Sequence, residues 1–192
     1  MVLDVALGDA TTLQYLKNRL PFLKQVYGTD LSEAAVANGN HLGIHSIQAD
    51  ISDVDEALLR DKLGIVDSRV DWIIATEVLE HISEPERVLP TLLRLARRGV
   101  LVSVPNSGYY PFRFQLLMGR FPVQWDLWPG EHLRFWTYAD FCWWLGELGV
   151  SGRAFVYFGL PILSRLWKNF FADGILWHLF PKKDLAVIES KT

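Results

Sequence analysis

Residues 2–10, with the sequence VLDVALGDA, constrain the fold of this chain more than any other segment. The apolar first half is typical of a buried strand, and the second half of a tight turn that opens a helix. A glycine-rich turn at this place carries two or three glycines, whereas this one keeps only Gly8. Because α/β proteins bind nucleotide-like ligands at such a strand–turn–helix unit, the segment predicts a ligand site near Gly8.

Short apolar runs alternate with helical patterns along the first hundred residues. The predicted strands are residues 2–7, 25–29, 44–49, 70–76 and 100–104. Strands separated by helices indicate right-handed βαβ units and a parallel sheet that is buried on both faces. After an aromatic segment, residues 137–148 match a helix, and residues 153–158 and 185–189 match two final strands. The pattern therefore predicts an α/β fold.

Length and composition favour one globular domain. The 192 residues suffice for a single core, and no repeat or linker divides them, so we predict one domain over residues 1–192, with insertions at about 105–136 and 159–183. The net charge of −3, without a basic block, argues against nucleic acid as a partner. The absence of a signal peptide and of a long apolar run predicts a cytoplasmic protein. The apolar neighbours of Cys142 predict a buried thiol.

Carboxylates follow the second and third predicted strands. Asp30 lies roughly 20 residues beyond Gly8, the spacing at which a carboxylate accepts both hydroxyls of a ribose. The alternative is an acid at a helix N-terminus beside Ser32. Asp50 ends the third strand, and its alternative role is a helix cap, for which Asp53 competes. Both carboxylates are expected at one edge of the sheet.

The end of the fourth strand completes a set of motifs. They are residues 2–10 (VLDVALGDA), 27–30 (YGTD), 48–50 (QAD), 76–81 (TEVLEH), 104–106 (VPN) and 132–137 (HLRFWT). In their order and spacing the chain resembles class I S-adenosylmethionine-dependent methyltransferases, most closely the MetW-like or methyltransferase type 11 group. The resemblance covers nearly the whole chain. It implies a Rossmann-like, seven-stranded, mostly parallel sheet with helices on both faces, and S-adenosylmethionine as the cofactor.

The resemblance also implies which residues bind the cofactor: Asp4, Ala6, Leu7, Gly8, Asp30, Leu31, Asp50, Ile51, Thr76 and Glu77. The backbone of residues 6–8 would hold the amino-acid end. Asp30 would accept the ribose hydroxyls, and Asp50 would reach the exocyclic amine of the adenine. Thr76 and Glu77 would line the floor near the sulfonium.

His81 is the candidate catalytic base for an OH or NH acceptor, and its alternative role is to hold the loop after the fourth strand. Glu77, Glu80 and His81 share one face of a helical turn, which suits a divalent cation. The pattern resembles that of metal-dependent O-methyltransferases of ubiquinone biosynthesis and of small-RNA 3′ ends, and His132 would be a fourth ligand. Oxygen ligands favour magnesium or manganese, and histidine favours manganese or zinc.

Two alanines set this chain apart from the family pattern, which usually has glycine where Ala6 and Ala10 stand. An alanine at positive φ costs about 1–2 kcal/mol.

From the resemblance, the chain is predicted to be a methyltransferase acting on a small-molecule or lipid/glycan-linked acceptor. The alternative is a degenerate member that serves as a regulatory or partner-binding subunit. A nicotinamide dehydrogenase would need the G-x-G-x-x-G motif and a separate substrate domain.

Two aromatic-rich segments fall in the predicted insertions. Aromatics within residues 109–136 are expected either to shape a substrate pocket or to pack their own small core. In residues 159–183, apolar residues form a helical stripe with cations opposite: Leu163, Leu166, Trp167, Phe170 and Phe171 against Arg165 and Lys168. A second apolar group follows at 175–180. A lid or homodimer surface is favoured, and the alternative is an interfacial helix, peripheral at the inner membrane face.

Overall fold

The computed structural model of the chain describes residues 1–53, 56–65, 69–122 and 131–180. The strands are β1 (Val2–Asp4), β2 (Val26–Asp30), β3 (His45–Gln48), β4 (Val70–Thr76), β5 (Ala96–Pro105), β6 (Gly152–Gly159) and β7 (Ala172–Leu179). The helices are α1 (Thr11–Arg19), α2 (Glu33–His41), α3 (Glu56–Leu63), α4 (Pro85–Leu95), α5 (Tyr110–Leu117), α6 (Tyr138–Glu147), α7 (Pro161–Leu166) and α8 (Lys168–Phe171). A 3-10 turn covers Leu79–His81.

The strands form one seven-stranded sheet in the order β3-β2-β1-β4-β5-β7-β6. Strand β1 pairs in parallel with β2 and with β4, and β2 pairs in parallel with β3. Strands β6 and β7 are antiparallel. The predicted Rossmann-like, mostly parallel, seven-stranded sheet is confirmed. The chain builds outward from β1 to β3 and then returns to β4, so strand order reverses at β1, where such folds bind ligands.

Contacts divide the chain into two compact units. The first contains Met1–Ala75 and Glu86–Leu101, and the second contains Thr76–Pro85 and Val102–Leu179. In the first unit, Leu7 and Ala10, which lie between β1 and α1, belong to one apolar cluster together with Leu13 of α1. Helix α2 starts as predicted, because the Ser32 hydroxyl accepts a hydrogen bond from the amide of Ala35 at 3.3 Å.

The second unit has an aromatic core around α6. Thr137 and Asp140 form a capping box that starts this helix where the sequence predicts. Phe141 is fully buried and contacts the rings of Trp136, Trp144 and Trp177. The buried thiol predicted for Cys142 is wrong: the residue is exposed. Successive helical residues are rotated by about 100°, so the residue that follows an inward-facing phenylalanine points away from the core.

Residues 159–183 differ from the prediction. The stripe does not form one helix, because Trp167 has a φ of −149° and separates the short helices α7 and α8. The second apolar group lies in β7, whose residues are mostly buried. The interfacial helix is therefore wrong in its geometry, and so is an insertion that runs through to residue 183. A short apolar run does not distinguish a strand from a helix by periodicity alone. The strand predicted at 185–189 lies outside the described residues.

Candidate functional site

The turn after β1 is built around Gly8. The amide of Leu7 donates to the carbonyl of Thr29 at 2.9 Å, and the amide of Gly8 donates to the Asp30 carboxylate at 2.8 Å. Gly8 has a φ of 55°, and apart from residues 7–9 no heavy atom of the described residues lies within 4 Å of the place where its Cβ would be. The left-handed backbone accounts for the glycine, and the open space beside it is accessible to a ligand.

One of the two alanines in this turn takes the conformation that normally calls for glycine. Ala10 has a φ of 64°, whereas Ala6 is not among the residues with positive φ. Ala10 is also fully buried, and its amide donates to the carbonyl of Leu7 at 2.9 Å. The turn thus keeps its shape and carries a strain of about 1–2 kcal/mol at one position.

Leu7 fixes the turn from beneath. A Cβ on Gly28 would lie 2.9 Å from a methyl carbon of Leu7, and one on Gly39 would lie 2.5 Å from it. These glycines, in β2 and α2, therefore leave a space that the buried leucine side chain fills. The sequence did not predict that either glycine packs against Leu7, because a glycine inside a strand or helix does not reveal which side chain it accommodates.

Asp30 takes its alternative role, that of an acid at the start of α2, and it also accepts a hydrogen bond from the glycine turn. One carboxylate oxygen accepts from Gly8, and the other accepts from the amide of Ser32 at 2.8 Å. Asp50 accepts from the amide of Ser52 at 2.8 Å and so closes a local turn. Beside it, Ile51 is half-buried, whereas Leu31 is 64% exposed. The ends of β2 and β3 are tied together, because the amide of Ala49 donates to the carbonyl of Asp30 at 3.1 Å.

Asp4, at the end of β1, is a buried carboxyl group. Burial raises its pKa to about 7, and the charge of Asp30 acts in the same direction. The amide of Ala6 lies 3.4 Å from the carboxylate and lowers the pKa only in part. The carboxyl of Asp4 therefore changes its charge near neutral pH.

Thr76 and Glu77 belong to the second unit. Thr76 ends β4 and is half-buried. Glu77 follows with a φ of 52°, and its carboxylate Oε1 accepts from the hydroxyl of Ser103 at 2.5 Å and from that of Tyr157 at 2.8 Å. Burial raises the pKa of the Tyr157 phenol well above its usual range, and the neighbouring Glu77 carboxylate adds to this effect. The phenol is therefore a donor at neutral pH.

Glu80, His81 and His132 are brought together as the sequence suggests. Each offers a ligand atom, and these atoms lie within 4.8 Å of one another. The two imidazole rings are 4.8 Å apart between centroids. Glu77 is not part of this group, so its predicted role as a metal ligand is wrong. The positive φ of Glu77 directs the chain away from the helical turn on which Glu77, Glu80 and His81 would share one face.

The same loop also has a clear structural framework. His81 Nδ1 lies 2.9 Å from the carbonyl oxygen of Glu131. The amides of Leu133 and Arg134 donate to the carbonyl of Glu80 at 2.7 and 3.0 Å. His81 therefore holds the loop after β4, as its alternative role predicts. A proton on Nδ1 leaves Nε2 as a lone-pair nitrogen.

The family model for Methionine biosynthesis protein MetW matches residues 1–179. The chain belongs to the MetW family. No curated protein matches it.

Solved structures share the fold of this MetW-family chain. An S-adenosylmethionine-dependent methyltransferase from Thermotoga maritima is 12% identical, with a TM-score of 0.63 over 94% of this chain and 81% of that one. Magnesium protoporphyrin IX methyltransferase from Synechocystis PCC 6803, with bound SAH, is 20% identical, with a TM-score of 0.61 over 94% and 74%. A methyltransferase in complex with the Haloferax volcanii activator Trm112 is 14% identical, with a TM-score of 0.59 over 94% and 81%.

The sequence of this MetW-family chain did not point to Ser103 or Tyr157. A sequence signal for Ser103 was present, because it is a polar residue within an apolar run of β5. Ser103 is 3% exposed. Tyr157 had no such signal, because its partner Glu77 lies 80 residues away in the chain. Whether the aromatics of residues 109–136 shape a substrate pocket or pack their own small core stays a prediction, because residues 123–130 lie outside the described ranges.

Proposed function

We propose that the chain is an S-adenosylmethionine-dependent methyltransferase. The observation that carries the proposal is the hydrogen bond from the Gly8 amide to the Asp30 carboxylate in an open turn. It fixes a carboxylate beside a glycine turn at the point where strand order reverses. The SAH bound to the Synechocystis neighbour supports the choice of cofactor.

The residues of the first unit fit this cofactor. Helix α1 presents its N-terminal amides at the turn, which suits the carboxylate of an amino acid. Asp30 has two oxygens that each accept one protein amide and keep further lone pairs for ribose hydroxyls. Asp50 and the half-buried Ile51 are assigned to the adenine. In the second unit, Thr76 and Glu77 are assigned to the sulfonium end.

The bound cofactor supplies an electrophilic methyl group, and the protein's task is to orient it and to manage the acceptor's proton. His81 is the proposed base for an OH or NH acceptor. Its Nδ1 faces the carbonyl of Glu131, so Nε2 is the nitrogen that accepts a proton. The acceptor is proposed to be a small molecule or a lipid- or glycan-linked group.

Calorimetry with SAH tests the cofactor proposal. We expect saturable binding to the wild-type chain, and at least about tenfold weaker binding to Gly8→Ala, because strain and a protruding methyl group both act at the turn. Gly119→Ala is the matched control: Gly119 also has a positive φ, of 78°, with open space around it, but lies in the second unit. The control should keep the wild-type affinity. No saturable binding of SAH at millimolar concentration would contradict the proposal.

The alternative function is a regulatory or partner-binding subunit that has lost tight cofactor binding. The strained Ala10 favours it, and one structural neighbour is bound to an activator protein. The second unit also exposes large apolar side chains, among them Leu117, Ile162 and Leu166, at 80%, 78% and 82%. Residues 159–171 therefore stay a proposed homodimer or peripheral membrane surface, although the continuous helix is absent. No helix in the described ranges has the length and hydrophobicity needed to span a bilayer.

As the alternative to His81 as a catalytic base, we propose a divalent cation at Glu80, His81 and His132, because Nε2 of His81 cannot accept a proton while it binds a metal. The donor set fits, because two imidazoles and a carboxylate lie within 4.8 Å of one another and the contact of His81 with Glu131 leaves Nε2 for the metal. A mixed nitrogen and oxygen set favours manganese or zinc over magnesium.

Titration of the apoprotein with Mn²⁺ and Zn²⁺ tests the cation site. We expect His81→Ala to weaken binding of the better ion at least about tenfold, since loss of one of three protein ligands removes much of the affinity. His41→Ala is the control, because His41 is an exposed histidine at the end of α2. Equal affinities for both variants and the wild type would show that the three side chains serve the loop alone.

A further inference from the structure

A cavity of about 330 Å³ lies within the second unit. It is lined by Glu77, Pro105, Tyr157, Phe158, Asp173 and Gly174. Pro105 is the last residue of β5, and the amide of the following Asn106 donates to the carbonyl of Asp173 at 2.7 Å. The cavity is therefore built at the carboxyl ends of β4 and β5, the edge at which folds of this class place their ligands.

A β-bulge and a glycine bring Tyr157 to this edge. Val156 pairs with Ile175 and Phe158 pairs with Gly174, so Tyr157 is the extra residue of β6. Such a bulge redirects a side chain. A Cβ on Gly174 would lie 2.5 Å from Cζ of Tyr157 and 2.7 Å from its hydroxyl oxygen. The tyrosine ring thus crosses β7 only because residue 174 has no side chain.

The contact that this arrangement creates is with the carboxylate of Glu77. Tyr157 and Ser103 both donate to Oε1, at 2.8 and 2.5 Å. Among the residues that the structure describes, Oε2 accepts no hydrogen bond. Glu77 also holds a left-handed backbone, which costs about 1–2 kcal/mol for a residue with a side chain. The strained backbone of Glu77, the bulge at Tyr157 and the missing side chain of Gly174 therefore all orient the Glu77 carboxylate. Its Oε2 stays available to a ligand in the cavity.

The electrostatics of the cavity favour a cation. Two of the described residues that line it, Glu77 and Asp173, are acidic, and none of the described lining residues is basic. Asp173 is 4% exposed. The pKa of Tyr109 is raised by burial, and the charge of Asp173 adds to this effect. Pro105 and Phe158 supply apolar walls. A ligand with a positively charged nitrogen on a small apolar body matches this combination, whereas an anion would be repelled by the carboxylate of Glu77.

We propose that this cavity binds the ammonium group of a small cationic methyl acceptor, with Glu77 as its contacting carboxylate and Tyr157 as the residue that positions Glu77. The inference rests on the proposed methyltransferase function, because it names the class of the acceptor. The apolar body of the acceptor packs on Phe158 and Pro105. A charge-assisted hydrogen bond between ammonium and carboxylate supplies the selectivity for the cation.

Three probes of similar shape test the charge preference: phenethylammonium, 2-phenylethanol and 3-phenylpropanoate. Their dissociation constants are measured by NMR titration of the full chain in saturating SAH. We expect the ammonium to bind at least about tenfold more tightly than the alcohol, and the carboxylate to bind most weakly. Glu77→Gln should remove the preference. Glu147→Gln, at an exposed glutamate at the end of α6, is the matched control and should preserve it.

Two further variants test the role of Tyr157. Tyr157→Phe keeps the ring and should raise the dissociation constant of the ammonium several-fold, with the alcohol's constant and the thermal midpoint unchanged. A residue that only supports the fold would shift all three. Gly174→Ala should reproduce the effect of Tyr157→Phe, because its methyl group displaces the ring, and should have no further effect in a Tyr157→Ala background.

The outcomes separate the two proposals. If SAH does not bind, the methyltransferase function fails. If SAH binds but the alcohol binds as tightly as the ammonium, or no probe binds, the cationic acceptor fails while the function stands. If Glu77→Gln weakens SAH binding and leaves the ammonium preference intact, the carboxylate serves the cofactor and the acceptor proposal is overturned.

Discussion

Asp30→Ala is expected to lower the affinity for SAH at least about 100-fold. Asp30 accepts amides from both Gly8 and Ser32, each at 2.8 Å, so its removal releases the turn after β1 and the start of α2 together. A hydrogen bond to a charged group contributes about 1.5–3 kcal/mol, and the proposed ribose contacts are lost as well. Each 1.4 kcal/mol corresponds to about a tenfold change in affinity.

Calorimetry with SAH measures this loss, and thermal unfolding shows whether the variant is folded. Asp30→Asn is the conservative variant: its amide oxygen replaces one acceptor, whereas its NH₂ group faces a backbone amide and repels it. We expect an intermediate affinity for it. Asp61→Ala, which removes an exposed carboxylate on α3, should bind SAH like the wild type. Wild-type affinity in a folded Asp30→Ala would place the cofactor elsewhere.

The second large effect is on stability and arises from Asp4. Burial raises the pKa of this carboxyl to about 7 from a reference value of 3.8. The folded state therefore holds a proton that the unfolded state releases between these values. The contribution of the neutral carboxyl to the free energy of unfolding is fully present below pH 4 and is lost as pH rises through about 7. A shift of this size corresponds to about 4 kcal/mol in the free energy of unfolding.

Asp4→Asn removes the titration and keeps a neutral side chain of the same shape. We expect its free energy of unfolding, relative to the wild type, to rise by about 4 kcal/mol between pH 4 and pH 8. Urea unfolding across this range measures the difference. Asp61→Asn, at an exposed position, should follow the wild type at every pH. A constant difference between Asp4→Asn and the wild type would mean that the pKa of the Asp4 carboxyl stays near its reference value in the folded state.

Much of the first unit was predictable because its signals are local. The apolar runs predicted β1, β2 and β4. Asp30 and Asp50 were recognised as candidate site residues because each directly follows a predicted strand. The conformation of Ala10 was not predictable, since a single alanine fits either an ordinary or a left-handed backbone until its neighbours are known. The space that Gly28 and Gly39 leave for Leu7 depends on packing between elements, which no short segment encodes.

The errors and omissions in the second unit have different physical origins. Strand β7 is mostly buried and has a continuous apolar run at residues 175–177, so it gives neither the alternation of an exposed strand nor a decisive helical period. The contact between Glu77 and Tyr157 joins residues 80 positions apart and depends on a bulge. Helix α6 was predictable because its capping box is a local pattern, whereas the exposure of Cys142 followed from a one-residue rotation.

The position of β7 between β5 and β6 also sets an order of events during synthesis. Strand β6 leaves the ribosome before its neighbour β7 exists, and none of the earlier described strands lies beside it in the sheet. Until residues 172–179 emerge, β5 also has an open edge. Open edges of this kind pair readily with other chains. The sheet is thus completed only when its seventh strand has been synthesised, and the nascent chain keeps two open strand edges until that strand inserts.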